Sequence, residues 1–355
     1  MMPYSELFSD ALFLLDCLIS TPSVSREEAG TADILQAFLS EKGLADVQRV
    51  GNNVFVRAAA WDTGKPVLLL NAHHDTVRPS ASYTRDPYAA THENGCIYGL
   101  GSNDDGGSVV SLIAAFRHLY DTPLSVNLLL AITAEEEVSG KGGISLLLPH
   151  LGHIDMGLVG EPTNMRAAVG ERGLVVLDGL AEGKRGHAAR NEGVNALYVA
   201  LEDIQQLRNY RFERTSELLG DIKVSVTQIS AGQQHNVVPD ECRFVVDVRT
   251  TDAYTNEQTA ELLQSVCRST LTPRSTRLRA SAIDEAHPLV RTARQLGRTM
   301  YVSPTMSDMA LMPFPTLKMG PGDGARSHCA DEYIREEEIS EGIQIYIDYL
   351  KHLQL

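Results

Sequence analysis

Histidines and carboxylates stand in short signatures along this chain: His73 and Asp75 in NAHHDTV, Asp104 in GLGSNDDGG, Glu136 and Glu137 in TAEEEVSG, Glu161 in VGEPT, and His328 in GARSHCADEY. Most follow an apolar run of about four to eight residues, the pattern of an interior strand of a parallel sheet. In open α/β sheets the ligand crevice lies beyond the carboxyl ends of such strands. These side chains are therefore expected to converge in one crevice.

Zinc accepts histidine nitrogen and carboxylate oxygen, and a pair of such ions about 3.5 to 4 Å apart is held by a shared carboxylate plus separate ligands for each. The inventory lets Asp104 bridge, with His73 and Glu161 on one ion and Glu137 and His328 on the other. Two divalent ions carry more positive charge than these ligand carboxylates cancel, and the surplus favours a developing oxyanion. Glu136 directly precedes Glu137, and neighbouring side chains on an extended strand end point in different directions. Glu136 is thus the expected general base and proton donor. Asp75 is placed to accept the second N–H of the His73 imidazole and fix its tautomer, while His74 is expected to face the other way. Each signature alone is commonly a solvated surface feature; their conjunction at strand ends is what carries weight.

The elements that must position these groups follow from apolar periodicity. Val54 to Ala58, Val67 to Asn71, Val126 to Thr133 and Met156 to Val159 read as strands and Ser108 to Tyr120 as a helix, an α/β pattern. From about Glu171 the rhythm becomes strand (Leu174 to Leu180), helix (Asn195 to Leu207), two strands (Ile222 to Ile229, Arg243 to Val248), helix (Asn256 to Val266) and strand (Thr276 to Ala282). That is the split βαβ order of a ferredoxin-like α+β unit. A helix up to Tyr301, a strand at Thr316 to Met319 and a helix from Glu336 to Leu353 follow. The expected fold is therefore an α/β catalytic domain, a mixed, mostly parallel sheet with flanking helices, formed by residues 1–168 and 284–355, with an inserted domain at 169–283.

The 355 residues carry a formal charge of −15, which disfavours nucleic acid and anionic membrane as partners. The first apolar stretch, Ala11 to Ile19, is interrupted by Asp16 and preceded by Glu6 and Asp10, as in an amphipathic helix rather than a secretory signal. No run is long enough to span a bilayer. The five cysteines are scattered without CxxC spacing, which fits reduced thiols in a cytoplasm; Cys329, beside His328, is expected to be a small packing residue.

In type and order, these motifs resemble the metal-dependent deacylase and carboxypeptidase family that includes acetylornithine deacetylase, succinyl-diaminopimelate desuccinylase and glutamate carboxypeptidase. The resemblance spans almost the whole chain: Ala72 to Asp75, Asp104, the pair Glu136 and Glu137, the acid of Glu161-Pro162-Thr163, and His328. It implies a zinc-peptidase-like catalytic domain, two zinc or cobalt ions, and a homodimer built through the inserted domain, which acts as a lid. It also implies that His187, in GKRGHAARNEGVNA, stabilises an oxyanion in the partner's site, and that Asn236 and Arg249, in HNVVPDECRFVVDVR, approach substrate. Arg326 and Arg190 are candidate cations for a longer acyl tail, and Gly322 lies in a stretch where backbone amides can approach substrate. Many relatives have Asp-Met-Lys-Gly where this chain has Asp104, Asp105, Gly106 and Gly107, and the peptide after the bridging aspartate is often cis in them. The implied reaction is hydrolysis of an N-acyl amino acid, with strongest resemblance to acetylornithine deacetylase-like enzymes of arginine biosynthesis acting on ornithine or citrulline derivatives. The alternatives are a desuccinylase, a dipeptidase, or a catalytically silent dimeric metal-binding protein.

Overall fold

A strand buried along its whole length must be covered on both faces, and several segments of this chain meet that condition. In the computed structural model, which describes residues 3–190 and 192–355, every residue of Val67–His73 and of Asn127–Thr133 is buried. The chain divides into two compact units, one of residues 1–169, 283–301 and 307–355 and the other of residues 170–282 and 302–306.

The first unit opens with helices α1 (Tyr4–Ile19) and α2 (Ala29–Glu41), then β1 (Gln48–Val50), β2 (Asn53–Arg57) and β3 (Val67–His73). The hairpin β4 (Thr91–Glu93) and β5 (Cys96–Tyr98) precedes α3 (Gly107–Leu119), β6 (Asn127–Thr133), α4 (Ile144–Leu151), β7 (Met156–Val159) and β8 (Ala167–Glu171). The second unit contains β9 (Gly173–Glu182), β10 (Gly186–His187), α5 (Ala196–Asn209), β11 (Lys223–Ala231), β12 (Val237–Val238), β13 (Glu241–Thr250), α6 (Asn256–Ser265), β14 (Thr270–Pro273) and β15 (Ser281–Ala282). The chain then supplies α7 (Pro288–Gln295), β16 (Met300–Ser303), β17 (Thr316–Lys318), β18 (Tyr333–Arg335) and α8 (Glu336–His352).

The main sheet runs β1-β2-β6-β3-β7-β17-β8. Strand β3 is parallel to both β6 and β7, and β17 is parallel to β7, whereas β2 is antiparallel to β6 and β17 antiparallel to β8. This is the expected mixed α/β sheet with flanking helices. Helix α3 is buried along nearly its whole length and packs against α1 and α8. A late segment of the chain, β17, is inserted between β7 and β8.

The second unit has the sheet order β11-β13-β9-β14, antiparallel throughout, which with α5 and α6 is a ferredoxin-like arrangement. Its core packs Val175, Leu177, Phe244 and Val246 of the sheet against Val199 of α5 and Leu263 of α6.

Two expectations need correction. The fourth strand of this unit is Thr270–Pro273, not Thr276 to Ala282, of which only Ser281–Ala282 is strand. Strand β14 is an edge, where the missing N–H of Pro273 costs no ladder bond. The helix expected up to Tyr301 stops at Gln295, because Gly297 takes a left-handed φ of 72°, and Met300–Ser303 is strand. No helix among the described residues is long and apolar enough to cross a membrane.

Candidate metal centre

Strand β3 is buried throughout and ends at His73, so the candidate ligands begin where the strand leaves the sheet. The His73 Nε2 lies 3.2 Å from Asp104 Oδ1, 3.9 Å from Glu136 Oε2 and 4.0 Å from Glu161 Oε1. Asp104 comes from the loop between β5 and α3, Glu136 from the turn after β6, and Glu161 from the turn after β7. The His328 Nε2, on the loop after β17, lies 2.8 Å from Glu137 Oε2 and 3.8 Å from Asp104 Oδ2. The two oxygens of Asp104 thus face different histidines, which is what a shared carboxylate between two cations requires.

Ligand atoms of His73, Glu136 and Glu161 lie within 4.8 Å of one another, as do those of His73, Asp104 and Glu137. Glu136 is as near to His73 as the expected ligand Glu161 is, so distance alone does not separate base from ligand. Histidine nitrogen and carboxylate oxygen suit zinc and other first-row divalent ions, and the residues present fit a cation pair.

The charge pattern points the same way. Burial pushes Glu136 well above the usual carboxylate range, with Glu161, Asp308 and Glu137 adding to the shift against His73. Burial likewise raises Glu161, with Asp104 and Asp105 adding to it and buried Lys318 opposing. Burial would lower His73, but hydrogen bonds with Asp104 and Asp75 raise it well above the ordinary imidazole value. The hydrogen bond with Glu137 lifts His328 to about 9. Carboxylates crowded in this way repel one another, and bound cations relieve the repulsion.

Asp75 is fully buried, and its surroundings differ from expectation. The nearer acceptor for His73 Nδ1 is the Asp75 main-chain oxygen at 3.0 Å, with carboxylate Oδ1 at 3.4 Å. That carboxylate also accepts the N–H of Glu136 at 2.9 Å, the N–H of Glu137 at 3.2 Å and the Ser25 hydroxyl at 2.7 Å. Asp75 therefore ties the end of β3 to the acid pair. His74 turns away: Nδ1 meets the Thr31 hydroxyl at 2.8 Å and Nε2 meets the Asn52 carbonyl at 2.9 Å. Glu135 adopts a left-handed φ of 53°, and its carbonyl and carboxylate accept the N–H groups of Gly140 and Gly142. This folds the glycine-rich loop back on the turn that carries Glu136. The Asp104–Asp105 peptide is cis.

The remaining candidates divide. His187 on β10 pairs with Val237 of β12, and the Asn236 carbonyl accepts the N–H of Ala188 at 3.0 Å, so His187 and Asn236 are close neighbours. Both are exposed, as are Arg190 and Arg249. Arg249 forms two hydrogen bonds with Asp247, at 2.8 and 3.1 Å. Arg326, the other candidate cation, is also paired: its guanidinium grips Glu338 at 2.6 and 2.9 Å and lies over the Tyr333 ring. Gly322 is also explained by packing, since its φ is 83° and a Cβ there would strike the Asn103 side chain. Cys329 is exposed rather than packed, and all five cysteines are free thiols.

Sequence reasoning passed over Ser25, Asp308, Lys318 and Glu332. Only Lys318 left a signal, a single charge within the apolar run of β17, where it is 1% exposed.

A mixed sheet that gathers carboxylates and histidines beyond its strand ends fits a metal-dependent hydrolase. The sequence matches Peptidase family M20/M25/M40 over residues 69–352, and the chain belongs to that family. It is 27% identical over 343 residues to an acetylornithine deacetylase from Myxococcus xanthus, covering 91% of this chain and 88% of the relative. It is 29% identical over 274 residues to a succinyl-diaminopimelate desuccinylase from Dinoroseobacter shibae, covering 73% and 72%. The fold is also that of a dinuclear metal-binding peptidase from Bacillus subtilis, with a TM-score of 0.75, 17% identity and 98% of each chain covered.

Proposed function

We propose that this enzyme hydrolyses the amide bond of an N-acyl amino acid, with N-acetylornithine or an N-acyl relative of ornithine or citrulline in arginine biosynthesis as substrate. The observation that supports two-cation chemistry best is the pair of Asp104 oxygens facing His73 and His328. The similarity to an acetylornithine deacetylase over most of the chain supports the acyl amino acid; the similarity to desuccinylases keeps a succinyl group as the second reading.

In this reading His73 and Glu161 hold one cation, Glu137 and His328 the other, and Asp104 both, with zinc favoured and cobalt an acceptable substitute. Bound there, the ions polarise the amide carbonyl and make water more acidic. Glu136 takes a proton from the attacking water, and its raised proton affinity suits it to pass that proton to the leaving nitrogen. The C–N bond breaks as a C–O bond forms, giving a carboxylate and a free amine. Asp75 holds the base turn and the His73 ring in register. A purely structural metal site has no use for an acid beside its ligands, so Glu136 favours an enzyme over a silent binding protein.

The residue 170–282 unit is the lid and dimerisation domain of this proposal. His187 donates to the oxyanion in the partner's site, Asn236 contacts substrate, and Arg249 leaves Asp247 to take the substrate carboxylate bidentately. The free thiols support a reducing, cytoplasmic setting. A panel of acetyl- and succinyl-ornithine, their citrulline counterparts, succinyl-diaminopimelate and dipeptides, assayed with zinc or cobalt, tests the assignment. Highest kcat/KM on an N-acyl ornithine or citrulline is expected; preference for succinyl-diaminopimelate or a dipeptide overturns it.

A further inference from the structure

Glu332 stands one residue before β18 and four beyond His328, and it is 2% exposed. Burying a carboxylate is costly unless donors converge on it, and here they do. Its Oε2 accepts the N–H of Gly101 at 3.0 Å, and Oε1 accepts those of Asn103 at 2.9 Å and Asp104 at 2.8 Å. Its main-chain oxygen accepts the N–H of Gly99 at 3.0 Å. Successive N–H groups wrapped on one anion form a nest, and this nest is the loop that presents Asp104.

A second tie lies beside the first. The Asn103 amide donates to the Asp323 carbonyl at 3.1 Å, and its oxygen accepts the Asp323 N–H at 3.0 Å. The segment from Asp323 to Glu332, which carries His328 between its ends, is thus fastened at both ends to the loop that carries Asp104. The hydrogen bonds of these two anchors run to main-chain atoms rather than to the candidate ligand side chains. Their arrangement fixes the main chain of one candidate ligand relative to that of another.

We propose that Glu332 is a positioning residue for the Asp104–His328 pair, setting the 3.8 Å separation at which the two side chains share one of the two cations. This inference rests on the two-cation reading given above. It predicts an unequal effect: Asp104 serves both ions, but His73 and Glu161 are not anchored by Glu332, so the ion bound by His328 should lose more affinity than the other.

The test uses the full-length protein, stripped with chelator and titrated calorimetrically with zinc, and separately with cobalt followed by its visible absorption. The parent should take up two ions per chain. Glu332→Gln, which keeps one acceptor oxygen, should weaken one ion about 10- to 100-fold and the other by clearly less. Asn103→Ala, acting on the second tie, should weaken the same ion. Asp331→Ala is the control for general loosening: this neighbouring acid accepts the Thr84 N–H and hydroxyl and the Arg85 N–H, and does not touch the Asp104 loop. Both ions should bind it as they bind the parent. Parent-like binding of both ions by Glu332→Gln and Asn103→Ala overturns the inference, as does equal weakening of both ions in all three variants. A parent chain that takes up fewer than two ions overturns the two-cation reading, and this inference with it.

Discussion

The two units hold their candidate residues in opposite ways. In the first, His73, Asp75 and Glu161 are buried at strand ends, and main-chain N–H groups fasten the acid-bearing turns. In the second, His187, Asn236 and Arg249 are exposed, and Arg249 spends its guanidinium on Asp247. On the function proposed above, the contrast teaches that cation binding would be preorganised by the sheet, whereas the exposed residues of the second unit would gain their order only on meeting substrate or a second subunit. Preorganisation favours the transition state because no reorganisation is needed during reaction, while an exposed, ion-paired arginine retains the freedom to exchange partners.

The comparison is broken most decisively by removing the ions. Dialysis against a chelator should abolish hydrolysis, with recovery on adding zinc or cobalt; undiminished activity in verified metal-free protein would refute the preorganised centre. Next in size, Glu136→Gln should lower kcat by about 10²- to 10⁴-fold while leaving metal content at the parent level. His187→Ala should cost about 10²- to 10³-fold in kcat without altering metal binding. Mixed dimers of His187→Ala and Glu136→Gln subunits should regain turnover if the histidine acts across subunits, and verified mixed dimers without recovery would place it elsewhere. Arg249→Ala should mainly raise KM, by about 10- to 100-fold for a residue that takes a substrate carboxylate through charge-assisted bonds; a parent-like KM would leave it as a partner of Asp247 alone. The smallest effect belongs to Arg326→Ala, which should destabilise the fold by about 0.5 to 1 kcal/mol through loss of the Glu338 pair, seen as a lower thermal midpoint with KM unchanged.

How much of this could be read from the residues depended on whether a signal was local. The apolar runs of β3 and β6 announced interior strands, and the polar residues directly after them marked the crevice. The cluster around His73 and Asp104 followed from that pattern. Strand β14 was misjudged because Thr270 to Pro273 ends in a proline, a residue that argues against a strand unless the strand lies at an edge. Arg326 looked like a free cation because its partner, Glu338, belongs to a different element, the first turn of α8. Glu332 gave no sign at all, since its partners are main-chain N–H groups that any sequence supplies.

The place of β17 in the sheet has a consequence for biosynthesis. The strand that separates β7 (Met156–Val159) from β8 (Ala167–Glu171) is Thr316–Lys318, so both of its neighbours leave the ribosome well before it does and the sheet interior stands open until it emerges. Pairings over so long a separation form slowly and leave strand edges bare in the meantime. A product released before Thr316 would lack both the closing strand and His328.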